Sequence, residues 1–169
     1  MIVHDSESFG TALRRLIESL DGALDRAYRD DGLAFRPRYT PIVRALLAED
    51  AQSIRALSNR LGLTHSAVSQ TVMHMAKDGH VTIRRGEEDG RERLVTLTAA
   101  LRSLLPALER HWQAAASATA TLDGELGGAL IDAVNRANAA LAARPYRDRL
   151  RDAAPARPPL ERPAWMAGG

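Results

Sequence analysis

One glycine constrains this chain more than any other residue. Leu61-Gly62 divides two short segments, and a residue with glycine's conformational freedom lets one helix stop and another begin within a tight turn. Before it, Ile54, Leu57 and Leu61 recur at i, i+3 and i+7 as one side of a helix. After it, Leu63 is expected to plug the turn, and the Thr64 hydroxyl to cap a second helix running to about Asp78. Beyond that helix, Val81-Thr82-Ile83 and Val95-Thr96-Leu97 alternate at period 2 on either side of the turn-rich, charged stretch GEEDGR. Residues 53–98 therefore predict a helix-turn-helix followed by a two-stranded wing.

At about 100° per residue, Val68, Val72 and Met75 of the second helix share one narrow sector, with Ala76 at its edge. That sector is the expected buried side. The opposite sector holds Ser66, Gln70, Met73 and Lys77, flanked by Ser69 and His74, and it is polar and mildly basic. Such a face suits a DNA major groove: small serines near the helix start let backbone N–H groups approach a phosphate, and a glutamine can pair with the adenine edge. For the helix alone, an ordinary solvated face fits equally well. The wing shifts the balance, because Arg84, Arg85, Arg91 and Arg93 crowd it, and arginines there reach phosphates or a minor groove. Asp89, two residues before Arg91, can hold that guanidinium in position through charge-assisted hydrogen bonds.

Together these residues resemble the multiple antibiotic resistance regulator (MarR) family of winged-helix transcription factors. The resemblance rests on Leu61-Gly62, on the recognition-helix start from Ser66 to Gln70, on Gly79 before the wing, and on Asp89-Gly90-Arg91 followed by Val95-Thr96-Leu97-Thr98. Three positions depart from the family pattern: Gln70 and His74 stand where arginine is frequent, and His80 where leucine is usual. The resemblance implies a mainly α protein with a small β-wing, a winged helix-turn-helix carrying N- and C-terminal dimerisation helices. It also implies a homodimer that binds double-stranded DNA at a pseudo-palindromic operator, usually as a repressor, with an affinity that a small-molecule effector can change. On this reading Thr64, Ser66, Ser69, Gln70, Met73, His74, Lys77, Arg84, Arg91 and Arg38 face DNA, with Asp89 as wing support. Arg36 is a further candidate for the DNA backbone, although solvated loop arginines explain Arg36 and Arg38 as well. Effectors in this family often occupy a crevice between dimerisation helices and winged region, and Phe35, Tyr39 and Trp112 are the aromatic candidates to line it, with core packing as the competing explanation.

The rest of the chain supplies helices. Phe9, Leu13, Leu16, Ile17, Leu20, Leu24 and Ala27 make a continuous stripe that predicts a helix over residues 6–29, capped by Ser6 or Ser8 and ended by Asp30-Asp31-Gly32. Thr40-Pro41 is expected to start the next helix, with a capping hydroxyl ahead of a proline at the first helical position. After the wing, Thr98 is expected to cap a helix to about Ala120 with a kink or boundary near Leu105, because Pro106 removes a backbone donor. Asp123 is expected to cap a last helix carrying Leu126, Leu130, Val134, Ala137 and Leu141. These readings divide the chain into an N-terminal dimerisation helix (1–35), a winged region (36–98), C-terminal dimerisation helices (99–144) and a proline-rich, partly irregular tail (145–169). The helices outside the winged region carry more apolar stripe than one winged helix covers; a second copy of the chain would supply the missing surface, with an intramolecular helical bundle as the competing arrangement where the resemblance is set aside.

Several function classes are disfavoured. Formal net charge is only +2, so the case for nucleic acid rests on where the arginines sit. There is no cysteine, which excludes disulfides, thiolate metal sites and cysteine-based redox sensing. His4, His65, His74, His80 and His111 have no supporting ligand spacing, and no glycine-rich phosphate loop or nucleophile elbow occurs, so no metal, cofactor or enzymatic activity is expected. With neither a leader-like N-terminus nor a run of ~20 apolar residues, the protein reads as cytoplasmic with no membrane partner. The competing function is a winged-helix protein-interaction module without DNA binding.

Overall fold

The computed structural model describes residues 8–85 and 93–154. The chain forms two compact units, Met1–Ser117 and Ala118–Gly169. In the first, α1 (Phe9–Asp30) is followed by a 3-10 turn (Pro37–Tyr39), α2 (Thr40–Ala48), β1 (Gln52–Ser53), α3 (Ile54–Leu61), α4 (His65–Lys77), β2 (Val81–Arg85) and β3 (Arg93–Leu97). A long helix, α5 (Ala99–Glu125), begins in the first unit and ends in the second, which also holds α6 (Ala129–Ala143) and α7 (Tyr146–Ala153).

The turn between α3 and α4 forms where the glycine places it. Gly62 takes a left-handed φ of 64°, which a side chain would strain. Leu63 does not plug this turn: it is 48% exposed. The turn is fastened by Ser58 instead, whose hydroxyl donates to the Leu63 carbonyl at 2.6 Å while the Leu63 N–H donates to the Ser58 carbonyl at 3.2 Å. Ser53 caps α3 by accepting from the Ala56 N–H, and Thr64 caps α4 by accepting from the Ala67 N–H.

The sheet has three strands, not two, in the order β1-β3-β2. β2 and β3 pair antiparallel with Val81 opposite Leu97 and Ile83 opposite Val95, so one face of the ribbon meets the core. The short third strand pairs Gln52 with Val95 and Ser53 with Leu94. Gln52 explains why the chain turns there. It is buried, its amide nitrogen donates to the carbonyls of Ala45 and Glu49 at 2.7 Å each, and its amide oxygen accepts from Arg60. One side chain thereby reaches the Glu49 carbonyl and adds a second donor to the Ala45 carbonyl, which already accepts from the Glu49 N–H.

Other boundaries differ from the sequence expectation for local reasons. Thr40 is not a cap, because the 3-10 turn precedes it and its backbone is already helical. Pro106 lies inside α5 and sets no boundary near Leu105, since the helix continues to Glu125. Asp123 does cap α6, but from inside α5: its carboxylate accepts from the N–H groups of Leu130 and Ile131 at 2.8 and 3.0 Å across Gly127 and Gly128, both at positive φ. Residues 146–153 of the expected tail are helical as α7.

The core gathers Tyr28 of α1, Phe35 and Tyr39, Ile42 and Leu46 of α2, Leu57 of α3, Val68, Val72 and Met75 of α4, Val95 of β3, and Leu101 and Leu108 of α5. Outside it, α1 leaves Phe9, Leu13, Ile17 and Leu20 exposed, and α6 buries no residue. Among the described residues no helix is long and apolar enough to cross a membrane. Because Gln52 donates to two carbonyls at once, Gln52→Ala should lower the unfolding free energy by about 2–3 kcal/mol in urea denaturation. A loss below about 0.5 kcal/mol would show that solvent replaces those bonds freely.

Candidate nucleic-acid interface

The buried and exposed sides of α4 separate cleanly. Val68, Val72 and Met75 have no exposed surface, while Ser66, Gln70, Met73, His74 and Lys77 are exposed and Ser69 is half-buried. Thr64, at the start, is exposed too and lies 3.2 Å from the Ser66 hydroxyl. The helix contains no acidic residue. A surface bearing hydroxyls, an amide, imidazole and an ammonium without carboxylates can approach a polyanion without repulsion. Leu63 sits one residue before the cap of this helix, and its exposure was invisible in the sequence pattern.

The ribbon adds fixed positive charge. Arg84 shares a sheet face with Thr82 and Thr96, whose hydroxyls are 2.7 Å apart, whereas Arg85 and Arg93 stand directly opposite each other on the other face. All three arginines are exposed, and none has an ion pair among the described residues. Like charges across a ladder cost stability, so the Arg85 and Arg93 pair is an arrangement that an anion would relieve. Asp89 and Arg91 lie outside the described residues.

The far end of α4 is tied down by a polar cluster. The Tyr39 hydroxyl donates to an Asp78 carboxylate oxygen at 2.7 Å, and the Arg36 Nε lies 3.6 Å from the same oxygen. The Tyr39 hydrogen bond is the main cause holding the Asp78 carboxyl below its ordinary range, with the Arg36 charge assisting and partial burial opposing. Burial first, and then the Asp78 carboxylate, raise the Tyr39 phenol. His80 stands where the family resemblance leads one to expect leucine. It is buried against the rings of Phe35 and Tyr39 at 5.6 and 5.8 Å, and its Nε2 donates to the Ala34 carbonyl at 2.8 Å. A carbonyl only accepts, so the ring carries its proton on Nε2. Arg36 is thus engaged at Asp78, while Arg38 is exposed and lies over the Tyr39 ring at 5.6 Å. The sequence signalled Asp78 only as a helix end; its role as an anchor depends on Tyr39, 39 residues away.

Among the described residues, the aromatic pocket candidates Phe35 and Trp112 border different clefts. Phe35, Tyr39 and Trp112 are all buried, and Trp112 donates its Nε1–H to the Tyr28 hydroxyl at 3.1 Å. Phe35 borders a cleft of about 450 Å³ with Asp25, Arg29, Leu33, Arg36 and Asp78. Trp112 borders another of about 260 Å³ with Arg44, Glu109, Gln113 and Ala116, and the Arg44 guanidinium lies 5.0 Å from the indole. Tyr39 lines neither cleft.

Helix-turn-helix, three-stranded sheet and flanking long helices define a winged-helix protein. Residues 35–92 match the model of the MarR family. No curated protein matches it by sequence. Among solved structures, the PcaV transcriptional regulator of Streptomyces coelicolor, in complex with its natural ligand, is 21% identical with a TM-score of 0.64, over 83% of this chain and 98% of that one. The transcriptional regulator MosR of M. tuberculosis, in complex with DNA, is 24% identical with a TM-score of 0.63, over 82% of this chain and 99% of that one. BpsR of Bordetella bronchiseptica, whose DNA binding is regulated by 6-hydroxynicotinic acid, is 19% identical with a TM-score of 0.51, over 75% and 98%. At these identities the likeness is one of fold.

The depressed Asp78 carboxyl has a pH consequence. A group whose folded pKa lies below its unfolded value stabilises the fold above the unfolded pKa, near 4, and loses that contribution as pH falls through the folded value. Tyr39→Phe removes the leading cause, so it should cost about 1.5–3 kcal/mol at pH 7, and the gap to wild type should close as pH falls well below 4. A gap that persists unchanged under acid would place the effect in packing rather than in the Tyr39 to Asp78 bond.

Proposed function

We propose that the chain is a homodimeric, sequence-specific DNA-binding transcriptional regulator, a repressor by preference, acting in the cytoplasm where its operator is. The observation that carries this reading is the carboxylate-free exposed face of α4, buried on its other side and fixed at both ends. Thr64, Ser66, Ser69, Gln70, Met73, His74 and Lys77 would face the major groove, and Arg38, Arg84 and Arg91 the backbone or the minor groove, with Asp89 steadying Arg91. Fold-level likeness to MosR, solved with DNA, supports the partner. The exposed apolar stripes of α1 and of α6, which includes Ile131, Val134 and Leu141, support the dimer.

A small-molecule effector has a physical route to the DNA-facing helix. Arg36 and Asp78 belong both to the wall of the cleft beside Phe35 and to the cluster that anchors the end of α4. A ligand that takes Arg36 from Asp78 would loosen that anchor, and fold-level likeness to PcaV, solved with its natural ligand, and to BpsR, whose DNA binding is regulated by 6-hydroxynicotinic acid, supports regulation by a small molecule.

Light scattering should give a dimer mass at micromolar concentration. The dimer should bind a pseudo-palindromic duplex with half-sites about 10 bp apart, with affinity falling steeply as salt rises. Gln70→Ala should cost about 1–3 kcal/mol on the preferred site, whereas Arg91→Ala should weaken all sequences and flatten the salt slope by about one unit per copy. Binding unchanged between low and high salt, or a monomeric mass, would overturn the reading.

A further inference from the structure

We propose that α4 reads an A·T-containing half-site, with Met73 as a specificity-determining residue that packs on a thymine methyl group next to an adenine held by Gln70. The inference rests on the DNA-binding reading above and goes beyond it by naming the bases.

The anomaly is Met73. The other apolar side chains at the middle of the helix, Val72 and Met75, are completely buried, yet Met73 is 55% exposed on the face that carries Gln70. Leu63, 48% exposed just ahead of the helix, adds apolar surface at its start. An unbranched thioether has no hydrogen bond of consequence to offer, so a methionine on an otherwise polar face gains only from apolar surface brought to it. In the major groove the one apolar group on a base edge is the thymine methyl.

Gln70 supplies the other half. Its amide makes no hydrogen bond among the described residues, so donor and acceptor are both free for the N7 and N6 positions of adenine. Guanine presents two acceptors and is read by a bidentate arginine or lysine. α4 has no arginine, and its one lysine, Lys77, is the last helical residue. Residues three apart rise about 4.5 Å along a helix, close to the spacing of stacked bases, so Gln70 and Met73 meet neighbouring base pairs.

The test uses the full-length protein and a preferred duplex selected from a random library. Thymines are replaced one position at a time, in both half-sites, by uracil, which keeps the pairing and the O4 acceptor and lacks only the methyl. At one position wild type should lose about fourfold in affinity per thymine, the worth of one buried methyl group, and so about fifteenfold for the symmetric pair. Met73→Ala should bind thymine and uracil duplexes equally, while Gln70→Ala should keep the uracil penalty. Wild type indifferent to uracil at every position, Met73→Ala retaining the full penalty, or selection of half-sites without an adjacent adenine and thymine would each overturn the proposal while leaving DNA binding intact. Absence of any salt-sensitive binding would instead remove the reading on which it rests.

Discussion

The structure depends on the complete burial of Val68, Val72 and Met75 against the core. At 100° per residue the sector opposite these three carries Ser66, Gln70 and Met73, and with one side of the helix buried and the other uncovered they point outward. The chemistry of the outward face is therefore free of packing constraints. It can carry the Gln70 amide and the His74 imidazole where the family resemblance leads one to expect guanidinium groups.

Orientation needs more than one buried sector, and the two ends of α4 supply it. Thr64 closes the start, and at the end Tyr39 holds Asp78 while His80 reaches back to the Ala34 carbonyl. These contacts join the recognition helix to the segment that follows α1. A cleft walled by Arg36 and Asp78 lies at this junction, so a ligand bound there would sit where the helix is held. Positioning and regulation would share the same few side chains.

Most of the winged region was legible in the sequence, because each of its elements announces itself locally. Gly62 marks a turn, Thr64 and Thr98 are capping hydroxyls, and the period-2 alternation of residues 81–83 and 95–97 marks the ribbon. What escaped notice depends on partners distant in sequence or on competition between neighbouring turns. β1 has two residues and no pattern of its own; it exists because Gln52 ties off α2 and its backbone meets β3. Thr40 looks like a cap, but the 3-10 turn before it already continues into the helix. Helical spacing puts Met73 on the outward face of α4, whereas Leu63, which hydropathy assigns to the turn's interior, is revealed as surface only by its exposure.

The central claim is that one α4 from each copy lies in the major groove, one helical turn apart. The chain has no cysteine, so Lys77→Cys places a single attachment point for an iron chelate at the end of the exposed face. Activated on the preferred operator, the tethered iron should cut DNA in two patches about 10 bp apart and symmetric about the operator centre. A single patch, or cutting spread evenly along the duplex, would contradict the account.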